Sequence, residues 1–115
     1  AFEDGTIGAW LDDALAVLDT LAAGRVIVAG SSMGGWIALW LALRRPEQVA
    51  GVLGIAAAPD FTRDIRDHDM DEAARALLAR QGYIDVPSAY SATPYRITRR
   101  LIVEGEEHCL LDGRI

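Results

Sequence analysis

The stretch Gly30-Ser31-Ser32-Met33-Gly34-Gly35 sets a hydroxyl between glycines in the pattern Gly-x-Ser-x-Gly, carried by Gly30, Ser32 and Gly34. On a sharp turn from a strand into a helix, this spacing lifts a serine side chain clear of the backbone, where its oxygen can attack a carbonyl. Side chains two residues before and after Ser32 are expected to collide across such a turn, so glycine is needed at 30 and 34, and Gly35 relieves the same crowding. The helix that follows aims free amides and the positive end of its dipole at the reacting centre, which makes the Met33 amide an oxyanion donor. Phosphate cradles are excluded. They need Gly-x-x-x-x-Gly-Lys-Ser/Thr or Gly-x-Gly-x-x-Gly; neither spacing occurs, and the chain has no lysine.

The elements needed to hold such a turn can be read on both sides of it. Arg25 to Ala29 is a short, largely β-branched run suited to a buried parallel strand. Met33 to Arg45 has no polar side chain before Arg44, is too long for a strand and is stopped by Pro46, which predicts a helix buried on most sides. Val49 to Ala57 is a second apolar run of strand length, so residues 25–57 spell strand, helix, strand with a right-handed crossover in a parallel sheet. Upstream, Trp10, Leu11, Ala14, Leu15, Leu18 and Leu21 share one helical face, and Gly24 follows as a stop. Downstream of Pro59 the composition shifts. Residues 60–71 are dense in charge, Asp71 to Arg80 reads as an amphipathic helix closed by Gly82, residues 83–96 as irregular or short-strand, and Thr98 to Leu111 as a helix. This predicts one partial α/β domain over residues 1–115: a core (1–59), a cap or lid segment (60–96) and a helix leading back to the core (97–115).

Bulk composition narrows the function classes. With 51% hydrophobic residues the chain can build one core. Its longest apolar run, Trp36 to Leu43, is far short of the ~20 residues a membrane span needs. A net charge of −6 without a basic cluster argues against nucleic acid as a partner. The one cysteine, Cys109, leaves no internal disulfide and no cysteine-based zinc site. The chain starts at Ala1 without a methionine and stops at Ile115 without a capping signal, and so reads as an internal piece of something longer.

Other titratable residues are weaker candidates. His108 has Glu106, Glu107 and Asp112 nearby in sequence, which would suit a base with a carboxylate orienter, yet a histidine among glutamates on a helix is more commonly solvated or capping. His68, with Asp67, Asp69 and Asp71, lacks metal-ligand spacing and reads as part of a charged surface loop. Asp60 directly follows the second strand, at the edge where α/β sheets place their sites, and is either a triad acid or an Asx-type turn ahead of Thr62. Met70, Leu77, Leu78, Tyr83, Tyr90 and Tyr95 either line an acyl pocket over Ser32 or form the lid's own small core.

The segment GSSMGGWIALWLALRRPEQVAGVLGIAAAPDFT resembles the core of the α/β-hydrolase superfamily. Within it, the chain resembles the abhydrolase family that includes a mitochondrial palmitoyl-protein thioesterase, also described as an acyl-glucuronide esterase, and bacterial relatives. FEDGTIGAWLDDALAVLD and PYRITRRLIVEGEEHCLLDGRI resemble the flanking segments. The resemblance implies hydrolysis of a small-molecule acyl ester or thioester on Ser32, with no cofactor or metal. It further implies a bacterial-type cytoplasmic or a mitochondrial location. In this fold the triad runs Ser, then Asp or Glu, then His, which puts the acid and the base beyond residue 115 and favours a local structural role for Asp60. The alternative from another class is a non-catalytic α/β fragment that buries its sheet edges in a homo-oligomer or against another chain.

Overall fold

A computed structural model describes residues 1–21 and 23–115. After a 3-10 turn at Phe2–Asp4, the first helix, α1, spans Ile7–Leu21. It starts a turn earlier than its apolar periodicity predicts because Thr6 Oγ1 accepts the Ala9 amide (3.1 Å), satisfying one of the orphan donors of a helix start. Its buried stripe is Ile7, Leu11, Leu15 and Leu18; Leu21 is exposed.

The central unit is β1 (Val26–Ser31), α2 (Met33–Arg44) and β2 (Val49–Ile55). The two strands pair in parallel, from Val26 with Val49 to Ser31 with Ile55, with one register shift after Val26. Trp36, Ile37, Ala38 and Leu41 of α2 are buried, as the all-apolar run requires. One sheet face is open: paired positions in a parallel ladder point the same way, and Ile27 (73% exposed), Leu53 (56%) and Ile55 (57%) share the uncovered side. The second strand ends at Ile55, before Ala56 and Ala57, because the chain turns sharply at Ala56 (φ 47°).

The segment 60–96, expected as a cap, departs from its sequence pattern in one place and follows it in two. The charge-dense stretch after Pro59 is helical, not a loop: α3 (Phe61–Asp64) runs into a π turn at Ile65–Asp69. The helix at 71–80 is present as α4 (Glu72–Gln81), with the Asp71 side chain accepting the Ala74 amide (2.7 Å) and Gly82 closing it in the left-handed region. Residues 83–96 contain most of an antiparallel hairpin, β3 (Tyr83–Val86) with β4 (Tyr95–Thr98), pairing Tyr83 with Thr98 and Val86 with Tyr95. Alternation in YIDV and YRIT buries Ile84 and Ile97 on one side.

The last helix, α5, covers only Arg99–Glu106, capped by Thr98 Oγ1 on the Leu101 amide. It stops short of Leu111 because the backbone beyond has other partners. The amides of Leu110 and Leu111 donate to Asp60, and the His108 carbonyl accepts both the Trp36 and the Trp40 indole N–H, at 3.0 and 2.8 Å. Buried side chains from α1, α2, α4, α5 and the hairpin form one continuous core. Among the described residues, no helix is long and apolar enough to cross a membrane.

Candidate active site

Ser32 stands at the joint between β1 and α2 with φ 52° and ψ −122°, a conformation that a residue with a side chain adopts only under strain. The turn is held from three directions. The Ser32 amide donates to the Ile55 carbonyl (3.0 Å), and its own carbonyl accepts the Gly35 and Ala58 amides, at 2.9 and 3.0 Å. Ser32 is exposed, and the amides of Met33 and Gly34, at the start of α2, have no hydrogen-bond partner among the described residues. A free amide pair beside a raised hydroxyl can accept a developing negative charge.

The glycines divide the labour differently from the expectation. A Cβ on Gly30 would run into the Gly34 carbonyl and come within 2.7 Å of the Gly35 nitrogen, so the turn forbids a side chain there. At Gly34 a Cβ would meet nothing within 4 Å, so the predicted collision holds on one side of Ser32 only. Gly35 serves packing instead: a Cβ would strike Ala57, so its absence lets α2 close against the backbone that follows β2.

Ser32 and Met33 form one wall of a 440 Å³ pocket lined mostly by residues between 61 and 97. Phe61, Ile65, Asp69 and Met70 contribute from α3 and the π turn, Ile84, Val86, Tyr90, Tyr95 and Ile97 from the hairpin region, and Phe2 from the N-terminal turn. Of the six residues expected either to line a pocket or to form the lid's own core, Met70, Tyr90 and Tyr95 line it. The other three expected residues serve elsewhere: Leu78 is in the core, Leu77 packs against it, and the Tyr83 ring lies 4.0 Å beneath the Arg96 guanidinium. Sequence reading missed Phe61 and Ile65, which share a helical face at i, i+4, and the Ile84/Val86 and Tyr95/Ile97 alternations, whose period of two was the available signal.

Asp60 and His108 are engaged away from Ser32. Asp60 is 3% exposed, and its two carboxylate oxygens accept the Leu110 (2.8 Å) and Leu111 (2.9 Å) amides. The Asx-type turn ahead of Thr62 is therefore not formed; the Asp60 backbone carbonyl starts α3 by accepting the Arg63 amide. His108 is half-buried, not solvated. Its Nδ1 lies 3.0 Å from Glu104 Oε1, which also accepts the Gly8 amide (2.8 Å) at the start of α1, and its ring meets Trp40 edge-on. Two of the three carboxylates expected to orient it are on arginines: Arg63 holds Glu106 (2.6 Å) and Asp112 (2.7 Å), and Arg66, which also holds Asp67 (2.6 Å), reaches Glu106 (3.0 Å). Hydrogen bonds from Arg63 push Glu106 and Asp112 below the ordinary carboxylate range, and Arg66 does the same to Asp67. Burial, aided by the Asp60 charge, raises the Cys109 thiol to about 11, which keeps it protonated and unreactive at neutral pH. His68 is exposed, and neither histidine lines the Ser32 pocket.

The chain is similar to known proteins over almost its whole length. The mitochondrial palmitoyl-protein thioesterase ABHD10 is 39% identical to the chain over 114 residues in Pongo abelii and 37% in Homo sapiens, covering 98% of this chain and 37% of the relative in each case. The chain thus spans little more than a third of the length of these curated relatives. A solved structure from Agrobacterium vitis S4 superposes over the whole chain with a TM-score of 0.92 at 45% identity, using 46% of that protein. Mouse alpha/beta hydrolase domain-containing protein 10 superposes over 96% of the chain with a TM-score of 0.81 at 36% identity, using 44% of that protein. The profile of the alpha/beta hydrolase fold matches residues 1–91. By its strand–turn–helix core, its relatives and this match, the chain belongs to the α/β-hydrolase fold family.

Proposed function

We propose that Ser32 is the nucleophile of a serine hydrolase that cleaves carboxylic ester or thioester bonds through an acyl-enzyme. The observation that carries this reading is the strained Ser32 backbone, which raises an exposed hydroxyl beside the unpaired Met33 amide at the wall of an apolar pocket. A histidine outside residues 1–115, oriented by an acid also outside them, takes the Ser32 proton while Oγ attacks the carbonyl. The oxyanion forms against the Met33 amide. As it collapses, the alcohol or thiol leaves with the proton held by the histidine; water then attacks the acyl-serine by the same route and releases the acid. The name of the ABHD10 relatives makes long-chain thioesters the first substrates to try.

The test is covalent. In the full-length protein, a fluorophosphonate should label Ser32 and the Ser32→Ala variant should stay unlabelled; equal labelling of both overturns the assignment. Residues 1–115 alone should label poorly, because an unassisted serine is a weak nucleophile.

A second reading, an association module without catalysis, is favoured by the open sheet face at Ile27, Leu53 and Ile55. It requires concentration-dependent self-association together with no labelling of the full-length protein.

A further inference from the structure

The pocket beside Ser32 has one charged lining residue, Asp69, the last residue of the π turn. Several nearby carboxylates are already committed: Asp67 to Arg66, Glu106 to Arg63 and Arg66, Asp112 to Arg63, Asp85 to Arg96, and Asp60 to two backbone amides; Asp64, beside Ile65, and Glu3, beside Phe2, do not line the pocket. Asp69 is exposed and has no ion pair or hydrogen bond among the described residues. It is a free negative charge on the wall of an otherwise uncharged cavity.

An acyl chain gains by covering Phe61, Ile65, Met70, Ile84 and Ile97, since that removes apolar surface from water. The same chain laid over Asp69 would strip water from a carboxylate and offer nothing in return. The acyl part of a substrate is therefore directed to the apolar lining, and the polar part, the leaving group, is left to meet Asp69. We infer that Asp69 is a specificity-determining residue that favours substrates whose alcohol or thiol leaving group is cationic and disfavours anionic ones. This rests on the assignment of Ser32 as nucleophile, because that assignment places the scissile bond in the pocket.

Three thioesters with one acyl chain separate the effects: S-decanoyl thiocholine (cationic), S-decanoyl 2-mercaptoethanol (neutral) and S-decanoyl 3-mercaptopropionate (anionic). With full-length protein at low salt, kcat/KM should favour the cationic over the anionic substrate about tenfold, summing one attraction and one repulsion at a partly exposed charge. The isosteric Asp69→Asn variant should reduce this ratio to about twofold, and raised salt should reduce it likewise. Asp64→Asn removes an exposed charge from α3 that does not line the pocket, and should leave the ratio as it was. An Asp69→Asn ratio equal to that of the wild type overturns the proposal; so does an equal fall in Asp64→Asn, which would assign the preference to net charge. A binding readout keeps the two assignments apart. In Ser32→Ala, decyltrimethylammonium should displace a fluorescent apolar probe from the pocket more readily than decanoate does, and Asp69→Asn should erase that difference. Preserved binding preference without turnover of any thioester sinks the Ser32 assignment alone, and a binding preference indifferent to Asp69 sinks this one.

Discussion

In the core, the geometry around Ser32 is set by residues within a few positions of one another: Gly30 must be small because Gly34 folds back over it, and the turn is tied to the adjacent β2 end. In the cap, the polar contacts from Asp60, Arg63 and Arg66 to the C-terminal segment join residues 40 to 51 positions apart. The core is thus shaped by backbone sterics and apolar burial, and the cap is fastened by charge-assisted hydrogen bonds from its first residues to the C-terminal segment. The difference teaches where each half is vulnerable. Crowding near Ser32 should cost stability and activity together, whereas removing a charge in the fastening should loosen the cap and spare the turn.

The comparison breaks most visibly at Ser32 itself. On the proposed role of Ser32 as nucleophile, Ser32→Ala in the full-length protein should lower ester or thioester turnover by about three orders of magnitude or more. Ser32→Gly should lose the same activity yet raise the melting temperature, because glycine adopts a positive φ without strain. A loss of stability in Ser32→Gly would mean that the turn stores no strain.

Next in size, Gly30→Ala should destabilise the fold by about 3 kcal/mol in denaturant titration, the cost of overpacking a turn that has no room for a methyl group. Asp60→Asn should cost about 2 kcal/mol, since an amide replaces one of the two oxygens of a buried carboxylate that accept backbone N–H groups. Fluorophosphonate labelling of Ser32 should survive in the molecules that remain folded. If labelling vanishes while the fold holds, Asp60 belongs to the catalytic machinery after all.

Acid should act on the fastening between the cap and the C-terminal segment, and in the core on Asp19, which Arg45 holds below the ordinary carboxylate range. Glu106, Asp112 and Asp67 have folded-state values depressed by their arginine partners. Their contribution is complete above the ordinary carboxylate range and is lost as the pH falls below about 4 and through the depressed values. Amide exchange at Leu110 and Leu111 should accelerate across that window, and Arg63→Gln should produce the acceleration already at neutral pH. Uniform acceleration in α2 and the cap would show that the two regions open together. The smallest effect belongs to Gly34→Ala, expected to leave stability unchanged within about 1 kcal/mol because a Cβ there meets nothing. A loss as large as that of Gly30→Ala would restore symmetric crowding about Ser32.

Legibility in the sequence follows the same division. The strand, helix, strand order around 30–35 was readable because an apolar run of helix length between two of strand length admits few arrangements. The α3 helix and its π turn were not, since a stretch as charged as Asp60–Asp71 reads as a loop until Arg63 and Arg66 are known to reach Glu106. The hairpin was hidden by prolines and by a loop of eight residues between Val86 and Tyr95, too long for a turn signature. His108 illustrates the limit most clearly. Its sequence neighbours are Glu106 and Glu107, but its ring contacts Glu104 and Trp40, and its carbonyl serves two tryptophans from another helix.

By itself the sequence determined the α/β class, the parallel crossover and the position of the Gly-Ser-Gly turn, because local sterics and hydrophobic period act between near neighbours. Only the tertiary structure decided which glycine is indispensable, what Asp60 and His108 are bonded to, and that Asp69 lines the pocket without a partner among the described residues. Those outcomes depend on which distant groups arrive within hydrogen-bond or contact distance, and no pattern along the chain encodes that directly.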